Sequence, residues 1–396
     1  MGCAMGLNHH SAAGATLLGA SLSHMLNDAV PQIQIALIPV FMKEFNLTIF
    51  QAGLMVSIPL LCSTVSIVFA GFLADRVDHV NQIVMALSLM AVSSILLGFT
   101  RSVSLLTAIL SAILVGNSLF HPAGFTLSSG VMSSNRRTTA LGFFNAGGIM
   151  GFALGPFSVG ALLGRFQWRT IYLVWTVILI FTIAYMLTLK WRKTYKPQLK
   201  EAEPQSDRPS VRSILALPFI TLIVIVGLEW MGRHMILTYL TSFLVFDRNF
   251  TVQLASVFLG LISVVGILGG PLGGYIADRF GVVKWFMICI GGLAACTYLI
   301  LSLTHLWHLT AVTLMFGFFA AGEMASASSL VSDYVHTSRR GLGYSLYFLA
   351  INGVSTIAPL TGALIAEGHG FPAVFYGSMT LMIFALAMVW LTLKKQ

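Results

Sequence analysis

Long apolar runs separated by short polar connections dominate the chain. Twelve of them predict helices at 14–42, 49–75, 80–100, 103–131, 137–165, 168–190, 212–245, 251–276, 284–304, 309–333, 341–366 and 371–393. Each meets the length of about 20 mostly apolar residues that a helix needs to cross a bilayer. The runs are continuous, unlike the short alternating strands of a membrane β-barrel. One long polar segment separates the sixth run from the seventh; it carries Lys193, Lys196, Lys200, Glu201, Glu203, Asp207 and Arg208 with Pro197, Pro204 and Pro209, and it reads as a linker. The expected fold class is all-α and membrane-integral. It comprises a six-helix bundle over 1–190, a cytoplasmic linker over 191–211 and a second six-helix bundle over 212–396.

Composition agrees. Of the 396 residues 57% are hydrophobic and 9% charged, whereas soluble domains carry roughly 25% charged residues. The net charge of +9 sits in the connections rather than in a nucleic-acid-binding patch. With both termini and the linker inside, sixteen Lys and Arg face the cytoplasm and five face outside, Lys43, Arg101, Arg165, Arg169 and Arg248. The positive-inside rule therefore predicts cytoplasmic ends. Cys62, Cys289 and Cys296 lie in apolar runs with no CxxC pair and read as packing residues. The N-terminus shows no basic region followed by a cleavage site, so the first helix is expected to act as the insertion signal.

The sequence repeats. Gly71-Phe-Leu-Ala-Asp75-Arg76 recurs 203 positions later as Gly274-Tyr-Ile-Ala-Asp278-Arg279, Arg136-Arg137 as Arg339-Arg340, and Pro156 as Pro359. Six helices per copy make the repeat parallel. That is one of the plans of secondary transporters, whose site lies between the halves near the midplane. The segments carrying the repeat resemble the major facilitator superfamily over essentially the whole chain. Gly71–Arg76 and Gly274–Arg279 match its loop signature between helices two and three and between eight and nine; Gly281 and Lys284 continue the second copy, while Asp78, His79 and Asn81 depart from it in the first. The resemblance implies a cytoplasmic gate made by Gly71, Asp75, Arg76, Arg136, Arg137, Gly274, Asp278, Arg279, Arg339 and Arg340, and a monomer. Asp333, near the cytoplasmic end of its run, is expected to pair with loop arginines.

Ionisable groups inside spans cost at least about 2.5–3.5 kcal/mol and need a reason to be there. Asp28, Glu229, Arg233 and Glu323 qualify. His24, Asn27, Asp28 and Gln32 share one helical face, and Pro31 should bend the helix near Asn27. Asp28 is the first candidate to exchange a proton; permanent hydrogen bonding in the helix packing is the alternative. Glu229 and Arg233, four apart, form either a mutually neutralising pair or an anion site, with Arg233 offering a planar fork to a carboxylate or phosphonate. Asn117 and His121 stand four apart before Pro122. Glu323 is a second proton site or a partner to a basic group. Asn145, Tyr344, Tyr347 and Asn352 are further lining candidates.

Gly147, Gly151, Gly155 and Gly160 place small residues along the fifth helix, where they permit close packing, and Pro156 bends it. Gly151-Phe-Ala-Leu-Gly155-Pro156 also resembles the glycine-proline motif of proton-coupled exporters. The arginine such exporters carry in the fourth helix is missing between Ser102 and Asn135, so the generic multidrug mechanism does not transfer. Ser23-His24-Met-Leu-Asn27-Asp28, Phe45-Asn-Leu-Thr48, Gln51-Ala-Gly53 and Phe120-His121-Pro122 look like the fosmidomycin-resistance family, in which Arg233 also has a counterpart. Ala123-Gly124 stands where that family often has an acid.

No HExxH, GxSxG, ATP-binding loop or metal-ligand spacing is present, so neither an enzyme nor a cofactor or metal is expected. The expected function is proton-coupled efflux of a small anionic or zwitterionic molecule by alternating access. Asp28, Glu229 and Glu323 would carry protons, and His24, Asn27, Gln32, Asn117, His121 and Arg233 would contact substrate. A symporter for a small organic acid or sugar and a non-transporting membrane sensor are the competing readings.

Overall fold

The computed structural model describes residues 2–131, 137–191, 217–335 and 340–393. Among them the chain forms α-helices and one 3-10 turn, with no strand. The first helices are α1 (Gly2–Ala36), α2 (Ile38–Glu44), α3 (Ile49–Ala74), α4 (His79–Leu96, extended by the 3-10 turn Leu97–Phe99), α5 (Val103–Val131), α6 (Arg137–Leu162) and α7 (Trp168–Trp191). After the linker come α8 (Leu217–Phe246), α9 (Val252–Phe280), α10 (Val282–Ser302), α11 (Leu306–Tyr334), α12 (Arg340–His369) and α13 (Phe371–Thr392). Eleven of these helices are each long and apolar enough to cross a membrane, and α1 with α2 makes a twelfth, bent span. Large apolar side chains such as Phe69, Phe72, Phe181 and Phe384 point outward, as expected of surfaces covered by lipid.

The first span departs from expectation. Pro31 lies inside a continuous α1, and the 49° bend falls at Leu37, between α1 and α2. Pro39 explains the position: it has no N–H to donate four residues back, and in a continuous helix its ring would clash with that carbonyl. Leu37 closes α1 by donating its N–H to Ile33 and Gln34.

The chain packs as two compact units, Met1–Leu37 with Ile58–Ala202 and Ile38–Ser57 with Glu203–Gln396. The repeat is visible in each unit's packing. In the first, α4 lies on α5 and α7, and α1 lies on α6 and α7. In the second, α10 lies on α11 and α13, and α8 lies on α12 and α13. The two copies of the loop signature end differently. Gly281, at φ 95°, turns α9 directly into α10, a conformation that favours glycine. In the first copy Asp78 instead caps α4 by accepting the Asn81 N–H at 3.1 Å.

The closest packing in the first unit follows the glycine spacing of α6. A Cβ added at Gly147, Gly151 or Gly155 would lie 2.4, 2.2 and 2.4 Å from the carbonyl oxygens of Ser21, Met25 and Ala29 on α1. Both series advance four residues at a time, so the two helices touch backbone to backbone for two turns. Gly151→Ala should therefore destabilise the protein by about 1–3 kcal/mol, because backbone carbonyls must move. Gly142→Ala on the same helix, with open space around its Cβ, should leave stability equal or slightly raised. Thermal unfolding of the two variants in detergent checks this; equal melting temperatures would contradict it.

Candidate functional site

Two clusters of buried polar side chains stand inside the spans, one in each unit. In the first, α1 contributes His24, Asn27 and Asp28, and α5 contributes Asn117 and His121. The Asp28 carboxylate is 5% exposed. Its Oδ1 accepts from Asn27 Nδ2 at 3.1 Å and from Asn117 Nδ2 at 3.3 Å. His24 Nε2 lies 3.2 Å from Oδ2, and His121 Nε2 lies 3.6 Å from Oδ1. His24 Nδ1 is 2.8 Å from the carbonyl oxygen of Phe144 on α6, and the Phe144 ring stacks on the imidazole at 4.1 Å.

Backbone chemistry helps to hold this cluster. Pro31 has no N–H to give to Asn27, four residues back, so that carbonyl is left without its helical partner. Asn117 Nδ2 fills the vacancy at 3.0 Å, as the absence of water in a bilayer requires. Gly148 completes the pocket: a Cβ there would stand 2.7 Å from the His24 ring and 2.8 Å from Asp28 Oδ2. The expected kink at Pro31 is absent; the Asn27 carbonyl that Pro31 cannot serve is met instead by Asn117 on another helix.

The second cluster joins α8 to α11. Arg233 Nη2 donates to Glu229 Oε2 at 3.0 Å and to Glu323 Oε2 at 2.8 Å, and Nη1 donates to the Ala320 carbonyl at 3.0 Å. The guanidinium lies over the Trp230 ring at 4.2 Å, a favourable cation–π contact, and Trp230 is fixed by Nε1–H donation to Ser355 Oγ at 2.7 Å. Arg233 is 3% exposed and both glutamates 0%. Among the described residues, Glu229 Oε1, Glu323 Oε1 and Arg233 Nε have no hydrogen-bond partner. Glycines again permit the approach: Gly232 abuts the Ser378 backbone of α13, and Gly322 abuts Trp285 and Cys289 of α10.

The remaining candidates scatter. Gln32 lies one turn beyond Asp28, against Gly155, outside the hydrogen-bonded cluster. Asn145 is exposed. Tyr347 is buried within electrostatic reach of the second cluster. Tyr344 instead donates to the Ser328 carbonyl, and Asn352 donates to Phe348 on its own helix. Pro156 lies inside α6, and the Pro359 carbonyl accepts the Tyr239 hydroxyl at 2.6 Å. Of the residues expected at a gate, Gly71 is in α3, Asp75 and Arg76 follow its end, Gly274, Asp278 and Arg279 are in α9, and Asp333 is exposed near the end of α11. Arg136 and Arg339 lie outside the described residues, as do the side chains of Arg137 and Arg340. Sequence reasoning missed the Phe144 carbonyl, Gly148 and the stacking of Trp230; only the second of these left a signal, a glycine beside the four-residue series.

Buried charge of this kind marks substrate or ion pathways in membrane proteins, and the repeated helical architecture is that of a secondary transporter rather than an enzyme. The chain belongs to the Major Facilitator Superfamily, whose sequence profile matches residues 17–281 and 222–396. It is 24% identical over 371 residues to the fosmidomycin resistance protein of Escherichia coli (strain K12), covering 91% of this chain and 88% of that one. It is 25% identical over 395 residues to the multidrug resistance protein MdtG of Salmonella typhimurium, covering 95% and 94%. Among solved structures, a bacterial homologue of the human lysosomal transporter Spinster, inward-facing and unoccupied, superposes with a TM-score of 0.80 at 15% identity over 96% of both chains. The peptide transporter POT in complex with sulfate gives 0.77 at 14% identity over 94% of both chains.

The ion-pair geometry makes a stability prediction. Arg233→Met leaves two buried carboxylates without their cation and should cost about 3–5 kcal/mol. Adding Glu229→Gln and Glu323→Gln to that variant should recover much of the loss. Thermal unfolding of the single and triple variants reads both effects; an Arg233→Met protein as stable as wild type would refute the assignment of Arg233 as the cluster's balancing charge.

Proposed function

We propose that the chain is a proton-coupled exporter that works by alternating access, and that the exchanging proton resides on Glu229 or Glu323. The carrying observation is the charge count of the second cluster: two buried carboxylates against one guanidinium. With both acids ionised the cluster holds one unbalanced negative charge, which burial penalises by several kcal/mol. A proton restores neutrality, and so does a positive group on a substrate. Two ligands that neutralise the same carboxylates compete, and the competition is reciprocal. Alternation between them is antiport.

A small zwitterion fits this arrangement, its positive end on a glutamate and its negative end on the Arg233 fork. Export is supported by the relatives, which are named for fosmidomycin and multidrug resistance. The assignment to a bacterial inner membrane with cytoplasmic termini rests on those relatives and on the bias of basic residues; a monomer suffices for the mechanism. The Arg233 geometry also favours a second reading. Protonating a glutamate releases an edge of the guanidinium, so a purely anionic substrate would bind together with the proton, which is symport of a small organic acid.

Proteoliposomes with an internal pH dye, a pH gradient and a panel of small zwitterions and organic acids test both readings. The expected result is proton movement opposite to substrate, reduced at least about tenfold in Glu229→Gln or Glu323→Gln. Movement in the same direction would establish the symport reading. Unchanged coupling in both variants would remove the proton from this cluster, and no substrate movement at all would favour a sensor.

A further inference from the structure

We propose that His24, Asp28 and His121 form a binding site for a divalent transition-metal ion inside the first unit. One ligand atom from each residue lies within 4.8 Å of the other two. The two edges that include the carboxylate measure 3.2 and 3.6 Å. Ligands held at about 2.0–2.1 Å around a tetrahedral ion stand about 3.3–3.4 Å apart. The two measured edges, one to each carboxylate oxygen, match that spacing to within about 0.3 Å, and drawing the two imidazoles together would close the third.

The hydrogen bonding leaves a place for a cation at this point. A carbonyl oxygen only accepts, so His24 Nδ1 carries the hydrogen that meets Phe144 O at 2.8 Å. With that hydrogen on Nδ1, the other ring nitrogen, Nε2, is turned toward Asp28 Oδ2, 3.2 Å away, where its lone pair can serve a cation. Two acceptors facing each other are repulsive until a cation lies between them. An imidazole that donates through one nitrogen to a backbone carbonyl and offers the other is the arrangement found around protein metal ions. The carboxylate is oriented in the same manner, through the Asn27 and Asn117 amides on Oδ1.

The donor set selects the ion. Two imidazoles and one carboxylate suit zinc, cobalt, nickel or ferrous iron; magnesium and calcium prefer oxygen ligands. Three protein ligands leave a fourth position for water or another ligand. Access is built in: the His24 and Asp28 side chains are 6% and 5% exposed, but His121 is 29% exposed. Gly148 keeps the space open, since a Cβ there would fall against both His24 and Asp28. The sequence showed no metal-ligand spacing because His121 enters from α5, 94 positions beyond Asn27. This proposal is independent of the proton reading, which rests on α8 and α11.

The test is a Co2+ titration of the purified, untagged full-length protein in detergent, followed by visible d–d absorption, with Zn2+ as competitor. A single equivalent of Co2+ should bind with the intense spectrum of a four- or five-coordinate nitrogen–oxygen site, and Zn2+ should displace it. Asp28→Asn should abolish the signal, and His121→Ala should weaken binding by more than about tenfold. His121 is partly exposed, so its variant keeps the test meaningful if Asp28→Asn fails to fold; gel filtration and thermal unfolding check both. The control is His305→Ala with His308→Ala, an exposed pair whose rings lie 5.6 Å apart, which should leave the spectrum unchanged. Absence of Co2+ binding, full-strength binding in His121→Ala, or loss of binding in the control would overturn the proposal.

Discussion

Arg233 stands between two glutamates in a part of the chain where water cannot screen any of them. A lone charge inside a span is costly, and pairing it with an opposite charge and hydrogen bonds offsets part of that cost. The guanidinium spends its two terminal nitrogens on Glu229, Glu323 and the Ala320 carbonyl. In doing so it ties α8 to α11. One negative charge is left over, and a proton or a cationic group must answer it. The functional reading follows from that remainder more than from the general shape of the fold.

Glycine makes such clusters possible on both sides of the repeat. In the first unit the series 147, 151, 155 lets α6 lie on the carbonyls of Ser21, Met25 and Ala29. The same contact brings Phe144 O onto His24 and leaves Gly148 facing Asp28. In the second, Gly317 meets the Ile262 carbonyl of α9, and Gly322 sits beside Glu323. Close backbones exclude lipid, and the polar side chains they enclose then pair with one another and with nearby backbone carbonyls. The packing and the chemistry are therefore two consequences of the same small residues.

Much of this was legible from the chain. An acid or base in an apolar run is conspicuous, so Asp28, Glu229, Arg233 and Glu323 stood out, as did the spacing of His24, Asn27, Asn117 and His121. Partnerships between distant helices were not legible. Glu323 lies 90 positions from Arg233, and no local pattern tells which base it meets. The bend was misplaced for a physical reason. Pro31 frees a carbonyl that Asn117 satisfies, so α1 continues, whereas Pro39 opens α2 and breaks the span at Leu37. The local partners of Tyr344 and Asn352, the backbone carbonyls of Ser328 and Phe348, were likewise not legible.

The central claim is that a proton resides on the Glu229–Arg233–Glu323 cluster when no substrate is bound. Infrared difference spectroscopy of the membrane-embedded protein between acid and alkaline pH observes a protonated carboxyl group directly through its carbonyl stretch. The account predicts one buried carboxyl band at acid pH that disappears on alkalinisation and is missing or shifted when either glutamate is replaced by glutamine. A spectrum without that band, or a band unchanged in both variants, would contradict it.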